Sequence, residues 1–231
     1  MSLQRTLFNP DTDWSIPDTL PNLTNCKEFS VDLETRDPSL RTKGSGWARK
    51  EGEIIGVAVG WESGEIYLPF SHLGGGNLDK EIVYRWLKKQ LNSNATKVFH
   101  NAVYDLGWLK AEGFNIEGNI VDTLVAAPLL DENAFSYSLD NLGEKYCGQK
   151  KDESLLDEAL LSYGLNNKGD MWKLPSKYVG LYAERDARLT YDLWKVLKQQ
   201  IAEENLSKVF KTEMDIVQLV IEMRMMGVRV D

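Results

Sequence analysis

Asp32 and Glu34 flank Leu33 in the run Phe29-Ser30-Val31-Asp32-Leu33-Glu34-Thr35, whose apolar character predicts a strand. Side chains two apart on a strand share a face, so both carboxylates aim one way while Leu33 faces the other. Asp105 closes His100-Asn101-Ala102-Val103-Tyr104-Asp105 at the start of a helical pattern. Tyr182-Ala183-Glu184-Arg185-Asp186 sets a phenol and a carboxylate at i and i+4 of a later helix, again on one face. Four carboxylates and a phenol aimed at one point would suit hard divalent cations, which take oxygen ligands. A pair of such ions can clamp both the attacking and the leaving oxygen of a phosphoryl transfer.

Each motif alone has a plainer reading. An isolated Asp-x-Glu is more often surface charge, Asp105 reads equally as a helix-face charge, and a single Tyr-xxx-Asp is more often a hydrogen-bonded structural pair. The first motif is harder to dismiss, because two carboxylates on one face of a central strand repel and lose solvation unless cations neutralise them. His72 and His100 are the only histidines; neither stands four residues before Asp186, and both read as structural or peripheral. Trp86, Trp108 and Trp194 fall at helical spacing and read as core, whereas Trp47, in a glycine-bearing loop, reads equally as packing or as a stacking surface for a base.

The elements that must position these groups follow from periodicity and punctuation. Residues 1–26, with Pro10, Pro17 and Pro21 among polar residues, read as an extended arm. Strands are expected over about 27–35, 53–60 and 65–70, and the intervening stretch 36–52, rich in Gly, Lys and Arg, reads as a mobile loop. Gly74-Gly75-Gly76 lacks a following Gly-Lys-Ser/Thr and reads as a joint, not a phosphate cradle. Ile82, Val83, Trp86, Leu87 and Leu91 predict a helix over 78–92; a strand at 97–100, a helix over about 102–112 and a strand end at Ile120-Val121 follow. Asp122-Thr123 caps a helix to Leu130, and a short helix over 138–146 closes at Gly148. The polar stretch 149–175 reads as part helix, part mobile loop, before long helices over 176–203 and 207–226. In the last of these Phe210, Met214, Val217 and Ile221 make a continuous apolar stripe. Strands first, then strand and helix in alternation, predict an α/β sheet covered by helices.

Composition bounds the rest. At 231 residues the chain suits one large domain, or one with an appendage, and 42% hydrophobic with 27% charged residues is ordinary for a soluble globular protein. A net charge of −8 argues against a protein that grips long duplex nucleic acid unaided, but not against a nuclease, since bound cations reverse the field of a carboxylate cluster. Cys26 and Cys147 are too few for a disulfide framework or a cysteine zinc site and point to a reducing compartment. The apolar run from Ile54 to Trp61 is far short of the roughly 20 residues that span a membrane, and Met-Ser-Leu-Gln-Arg-Thr lacks the apolar core of a secretory signal. A cytoplasmic location is expected.

Together, Asp32 with Glu34, Asn101-xx-Tyr104-Asp105 and Tyr182-xxx-Asp186 resemble the three motifs of the 3′→5′ proofreading exonuclease domain of family A DNA polymerases, in the tyrosine subtype of the DEDD exonuclease group. The resemblance covers roughly residues 27–200. Asp122-Thr123 and Ser138-Leu139-Asp140-Asn141-Leu142 are similar to stretches between the second and third motifs, the loop from Arg36 to Trp47 is similar to bacteriophage members, and Met214 to Asp231 resembles the opening of a polymerase domain.

The resemblance implies an α/β, RNase H-like mixed sheet covered by helices, with a C-terminal helical extension. Residues 1–26 would be an N-terminal arm, 27–205 the exonuclease domain, and 206–231 the start of a polymerase domain or a partner-binding helix. Asp32, Glu34 and Asp186 would hold the first of two divalent ions, Mg²⁺ or Mn²⁺; Asp32 would share the second, Asp105 would reach it through water, and Tyr182 would orient the attacking water. Thr35, Asn101 and Tyr104 are similar to residues that hold the terminal nucleotides. The implied activity is release of nucleoside monophosphates from single-stranded or frayed DNA 3′ ends, beside a polymerase in cis or on a separate chain, in a host's cytoplasm for a phage protein. Exoribonucleases that trim RNA 3′ ends use the same motifs. An inactive scaffold of the same fold is the other alternative, against which the intact carboxylate set argues.

Overall fold

The computed structural model describes residues 10–227; the first nine residues of the arm, and Val228-Arg229-Val230-Asp231 of the polymerase-like segment, lie outside the described residues. Strands β1 (Glu28–Arg36), β2 (Glu53–Trp61), β3 (Gly64–Pro69), β4 (Thr96–Phe99) and β5 (Ile120–Asp122) form one mixed sheet in the order β3-β2-β1-β4-β5. β1, β2 and β3 run antiparallel, whereas β4 and β5 join parallel to β1. The helices are α1 (Leu40–Lys43), α2 (Gly46–Arg49), α3 (Lys80–Leu91), α4 (Ala102–Ala111), α5 (Thr123–Leu130), α6 (Leu139–Leu142), α7 (Ser154–Ser162), α8 (Gly180–Glu203) and α9 (Ser207–Met226). This is the α/β architecture that the strand-then-alternation pattern predicts.

The two faces of the sheet differ in kind. On one, Phe29, Val31 and Leu33 of β1, Val57 and Val59 of β2 and Leu68 of β3 join a single buried cluster with Trp86 and Leu87 of α3 and Leu106 and Leu109 of α4. On the other, β1 carries Ser30, Asp32 and Glu34, and their cross-strand partners on β2 are Gly60, Ala58 and Gly56. Ala58 and Gly60 let α8 settle directly on the strands, whereas Gly56 makes room for the Tyr67 ring. A Cβ added at Gly60 would stand 2.7 Å from the Ala187 carbonyl oxygen, closer than carbon and oxygen can approach. The facing residues of α8, Ala183 and Ala187, are also small and fully buried. The β1–β2 register shifts between Glu34 and Thr35, an irregularity of the kind that re-aims side chains beside functional sites.

Three segments depart from their sequence reading. The stretch read as a mobile loop is folded. Asp37 Oδ2 accepts from the Gly46 amide at 2.7 Å, and Arg49 donates to the carbonyls of Lys43 (2.8 Å) and Ser45 (3.2 Å), so α1 and α2 are tied together by one carboxylate and one guanidinium. Inside it Trp47 is 2% exposed and lies flat on Gly107 of α4, which settles the open question about Trp47 in favour of packing. The helix expected over 138–146 is a short α-helix followed by a π-helical turn at Gly143–Cys147. The long helix expected from residue 176 begins at Gly180, after a 3₁₀ turn at Ser176–Tyr178. Its first residue packs against Trp14, whose ring leaves no room for a Cβ at Gly180.

The described part of the arm is extended and docked: the Leu23 amide donates to Gln90 Oε1 at 2.8 Å, and the Trp86 indole donates to the Pro21 carbonyl at 2.6 Å. At the other end, the stripe of Phe210, Met214, Val217 and Ile221 is buried against the same body, with α9 touching α4, α5, α8 and β5.

Candidate active site

Asp32 and Glu34 emerge on the β1 face that α8 covers, and two polar contacts, braced by a third within the sheet, fix α8 there. Ser30 Oγ donates to the Ala187 carbonyl at 2.6 Å and accepts from the Gly60 amide at 3.0 Å, while Glu184 accepts from the Tyr67 amide at 3.0 Å. With the helix fixed in height and rotation, Tyr182 and Asp186, one turn apart, both point at β1.

Asp105 arrives from the opposite direction. The parallel β1–β4 ladder pairs only Glu28–Ser30 with Thr96–Val98; beyond it the strands separate, and the free edge of β1 meets the first turn of α4. There the Leu33 amide donates to Asp105 Oδ1 at 3.2 Å, so a backbone donor that the ladder leaves open orients the carboxylate. The entry to α4 is bent by Asn101, which takes a left-handed conformation at φ 73°. Asp122 stabilises that bend: its carboxylate accepts from the amides of Asn101 (2.9 Å) and Ala102 (2.7 Å) while capping α5 through the Leu124 amide (2.8 Å). The sequence reading found the α5 cap but not the clamp on α4, which depends on β4 and β5 lying side by side.

The four carboxylates form one electrostatic unit. Asp32 keeps a part-exposed side, yet burial by the surrounding protein, reinforced by the Asp186 charge, pushes its carboxyl up to about 7. Burial raises Glu34 well above the usual carboxylate range, with Asp32 and Asp186 adding repulsion. Asp105 is likewise raised by burial and by Asp32. Burial raises Asp186 to about 6, against the lowering effect of the Lys151 ammonium and then of the Tyr182 hydroxyl. Burial, then Asp186 and Glu34, push the Tyr182 phenol far up, so it stays protonated and able to donate.

Thr35, Asn101 and Tyr104 line a groove of about 440 Å³ that opens beside Glu34. The Thr35 and Tyr104 hydroxyls are 2.7 Å apart, and Tyr104 also donates to Asp37 at 3.3 Å, so the groove wall is braced by the folded 37–49 segment. The opposite wall comes from Lys168 and Met171, and Arg224 of α9 reaches the same groove.

The histidines bond other partners than the four carboxylates. His72 is held between the Tyr67 hydroxyl and the Leu174 carbonyl, and His100 bonds Thr123 Oγ1 at 2.8 Å; burial lowers both to about 4, so they are neutral at pH 7.

Two lysines that no motif flagged complete the centre. Lys151 Nζ lies 2.7 Å from Asp186 Oδ2, 3.1 Å from Asp140 and 3.6 Å from Glu153, and 5.0 Å above the Tyr182 ring. Lys168 pairs with Glu153 and stands 5.5 Å from the same ring. Both come from the polar stretch 149–175, where no periodicity distinguishes one lysine from another.

The donor set fits hard divalent cations in chemistry: buried carboxylates repel one another, and Asp186 Oδ1 is buried without a hydrogen-bond partner among the described residues. Among those residues, however, no three side chains of the metal-binding types close on one ion, and the Lys151 ammonium is the cation on Asp186.

The sequence profile of a family described as 3′-5′ exonuclease matches residues 9–202. A DNA-directed DNA polymerase of Pseudomonas phage M6 is 38% identical over 237 aligned positions, which take in 99% of this chain and 36% of the relative. The chain thus spans about a third of that relative's length. Among solved structures, Brucella melitensis NrnC superimposes with a TM-score of 0.66 at 17% identity, covering 90% of this chain and 91% of that one. Escherichia coli RNase D, described as an exoribonuclease involved in structured RNA processing, gives 0.63 at 15% identity over 89% of this chain and 47% of its own. Likenesses at such identities concern the fold, which is RNase H-like. No helix among the described residues is long and apolar enough to cross a membrane.

Proposed function

Since the chain belongs to the 3′-5′ exonuclease family of DNA polymerases, we propose that it is a metal-dependent 3′→5′ exodeoxyribonuclease removing nucleoside monophosphates from single-stranded or frayed DNA ends. The observation that carries this reading is the convergence of Asp32, Glu34, Asp105 and Asp186, from one strand and two helices, into one buried and mutually repelling cluster beside an open groove. A fold tolerates such a cluster when cations are to be bound there. Asp32, Glu34 and Asp186 would hold one divalent ion, Mg²⁺ or Mn²⁺, and Asp32 with Asp105 a second. Bound there, the pair would supply a hydroxide near neutral pH and stabilise the departing 3′ oxygen.

The protein's own groups do the remaining work. The protonated Tyr182 phenol donates to the attacking water and fixes its approach, a positioning contribution that depends on α8 being held at one height. Thr35, Asn101 and Tyr104 hold the terminal nucleotide in the groove, with Tyr104 braced by Thr35 and Asp37. The groove, of about 440 Å³, is small, which suits a strand end, and the net charge of −8 suits a protein that needs no long duplex grip.

The polymerase relatives support proofreading in the service of a polymerase in cis or on a separate chain, with residues 27–205 as the exonuclease unit and the host cytoplasm as its place of work. A second reading, trimming of RNA 3′ ends, draws on the likeness to RNase D. End-labelled DNA and RNA oligonucleotides of one sequence, with Mg²⁺ or Mn²⁺ and with chelator, separate the two. The expected result is stepwise loss of 3′ mononucleotides from DNA in metal alone. Faster digestion of RNA would replace this proposal with the second reading, and no digestion of either would leave the scaffold.

A further inference from the structure

Lys151 is the one ammonium in direct contact with the carboxylate cluster among the described residues, and its setting differs from that of a surface ion pair. Its side chain is 13% exposed and is held by three acids from three segments: Asp186 on α8, Asp140 on α6, and Glu153 just before α7. It covers one oxygen of Asp186 and leaves the other buried without a partner. One oxygen of Asp186 is thus held by a +1 charge on the carboxylate that the metal-dependent reading assigns to a divalent ion. Lys151 also stands outside any regular element, between the π-helical turn Gly143–Cys147 and α7, so it can move away without disturbing the sheet.

We propose that Lys151 is a stand-in cation: in the metal-free protein its ammonium neutralises Asp186, and metal binding displaces it onto Asp140 and Glu153. Lys151 is then a positioning residue, holding the Asp186 carboxylate in place until a metal takes it and setting the metal concentration at which the site fills. The exchange is one of contacts only, with no bond made or broken. It rests on the metal-dependent reading of the site.

The test compares Mn²⁺ titration of the full chain by calorimetry for wild type, Lys151→Gln and Lys150→Gln. Lys150 is the adjacent, exposed lysine; its loss removes the same charge without vacating Asp186. Removing a competing cation is expected to tighten Mn²⁺ binding by Lys151→Gln at least about fivefold, the lower end of ordinary coupling between sites, and to leave Lys150→Gln within about twofold of wild type. A purely structural salt bridge would instead lower thermal stability with affinity unchanged. Equal affinity in Lys151→Gln and wild type overturns the exchange while leaving the metal site standing. No binding by any of the three proteins overturns the metal reading, and the exchange with it. A second measurement needs no loss of the charge: in ¹⁵N-labelled wild type, the slowly exchanging Lys151 ammonium resonance, assigned through Lys151→Arg, is expected to shift or vanish on saturation with Mg²⁺. A resonance that stays in place overturns the proposal.

Discussion

Asp32 is the carboxylate most exposed to the conflicting demands of the site, since it is raised to about 7 by burial and by Asp186 and faces both Glu34 and Asp105. Asp32→Ala is expected to remove hydrolysis, leaving less than about a hundredth of wild-type kcat. Without metal the variant should melt at the same temperature as wild type or higher, because it relieves repulsion. Hydrolysis of end-labelled DNA in Mg²⁺ checks the first expectation, and calorimetry of chelated samples the second. Tyr182→Phe removes only a donor: kcat is expected to fall about ten- to a thousandfold while Mn²⁺ affinity stays level, and a full-rate variant would take Tyr182 out of the chemistry. The shared faces of Asp32 with Glu34 and of Tyr182 with Asp186 were legible from strand and helix periodicity, while the roles given to them came from the family resemblance. Asp122 and Lys151 were not legible, since the first acts through strand adjacency and the second through a loop that periodicity cannot orient.

The elements matter through the distances they enforce. Ala58 and Gly60 on β2, beneath Ala183 and Ala187 on α8, set how far Asp186 stands from β1. Gly60→Ala adds one methyl group 2.7 Å from the Ala187 carbonyl oxygen and 2.8 Å from Ser30 Oγ. It is expected to cost about 1–3 kcal/mol of stability by overpacking and, more tellingly, to lower kcat at saturating metal although it touches no ligand. Unchanged kcat with a lowered Tm would show that the site tolerates a shift of the helix. The strands and long helices were readable to within a few residues, because their apolar periodicity agrees with their tertiary roles. The 36–52 segment misled because its Gly, Lys and Arg content describes a loop, whereas Asp37, Arg49 and Trp47 fold it through contacts that composition does not register.

For the whole molecule, the buried carboxylates link stability to pH. A carboxyl raised by folding holds its proton more tightly in the native state, so stability is greatest below its unfolded value and is lost as pH rises through the folded one. His72 and His100, lowered to about 4, act the opposite way but only below about pH 6.5, where free histidine begins to charge. As pH rises from about 6.5 through 7, then, the raised carboxyls of Asp32, Glu34 and Asp105 decide the sign, before Lys97, lowered to about 8 by burial, acts the opposite way. The metal-free protein is expected to lose Tm across that range, and saturating Mg²⁺ to raise Tm more at the alkaline end; a flat metal-free profile would count against the cluster. With residues 27–205 as the exonuclease unit that the family resemblance implies, a chain cut at about residue 205 would keep its activity. Yet α9 buries Phe210, Met214, Val217 and Ile221 on α4, α5, α8 and β5, so the cut is now expected to lower Tm and solubility and to weaken nucleotide binding through the loss of Arg224. Thermal melts and KM for a short oligonucleotide check this. The order of the ligands along the chain has one more effect. Asp32 and Glu34 leave the ribosome with the first strand, but Asp186 arrives on α8, the helix that must settle on four finished strands before the face bearing Asp32 and Glu34 is covered. A nascent chain therefore carries scattered acids and no enzyme until that one docking step, and cleavage begins as an event in time, not as a property that accumulates during synthesis.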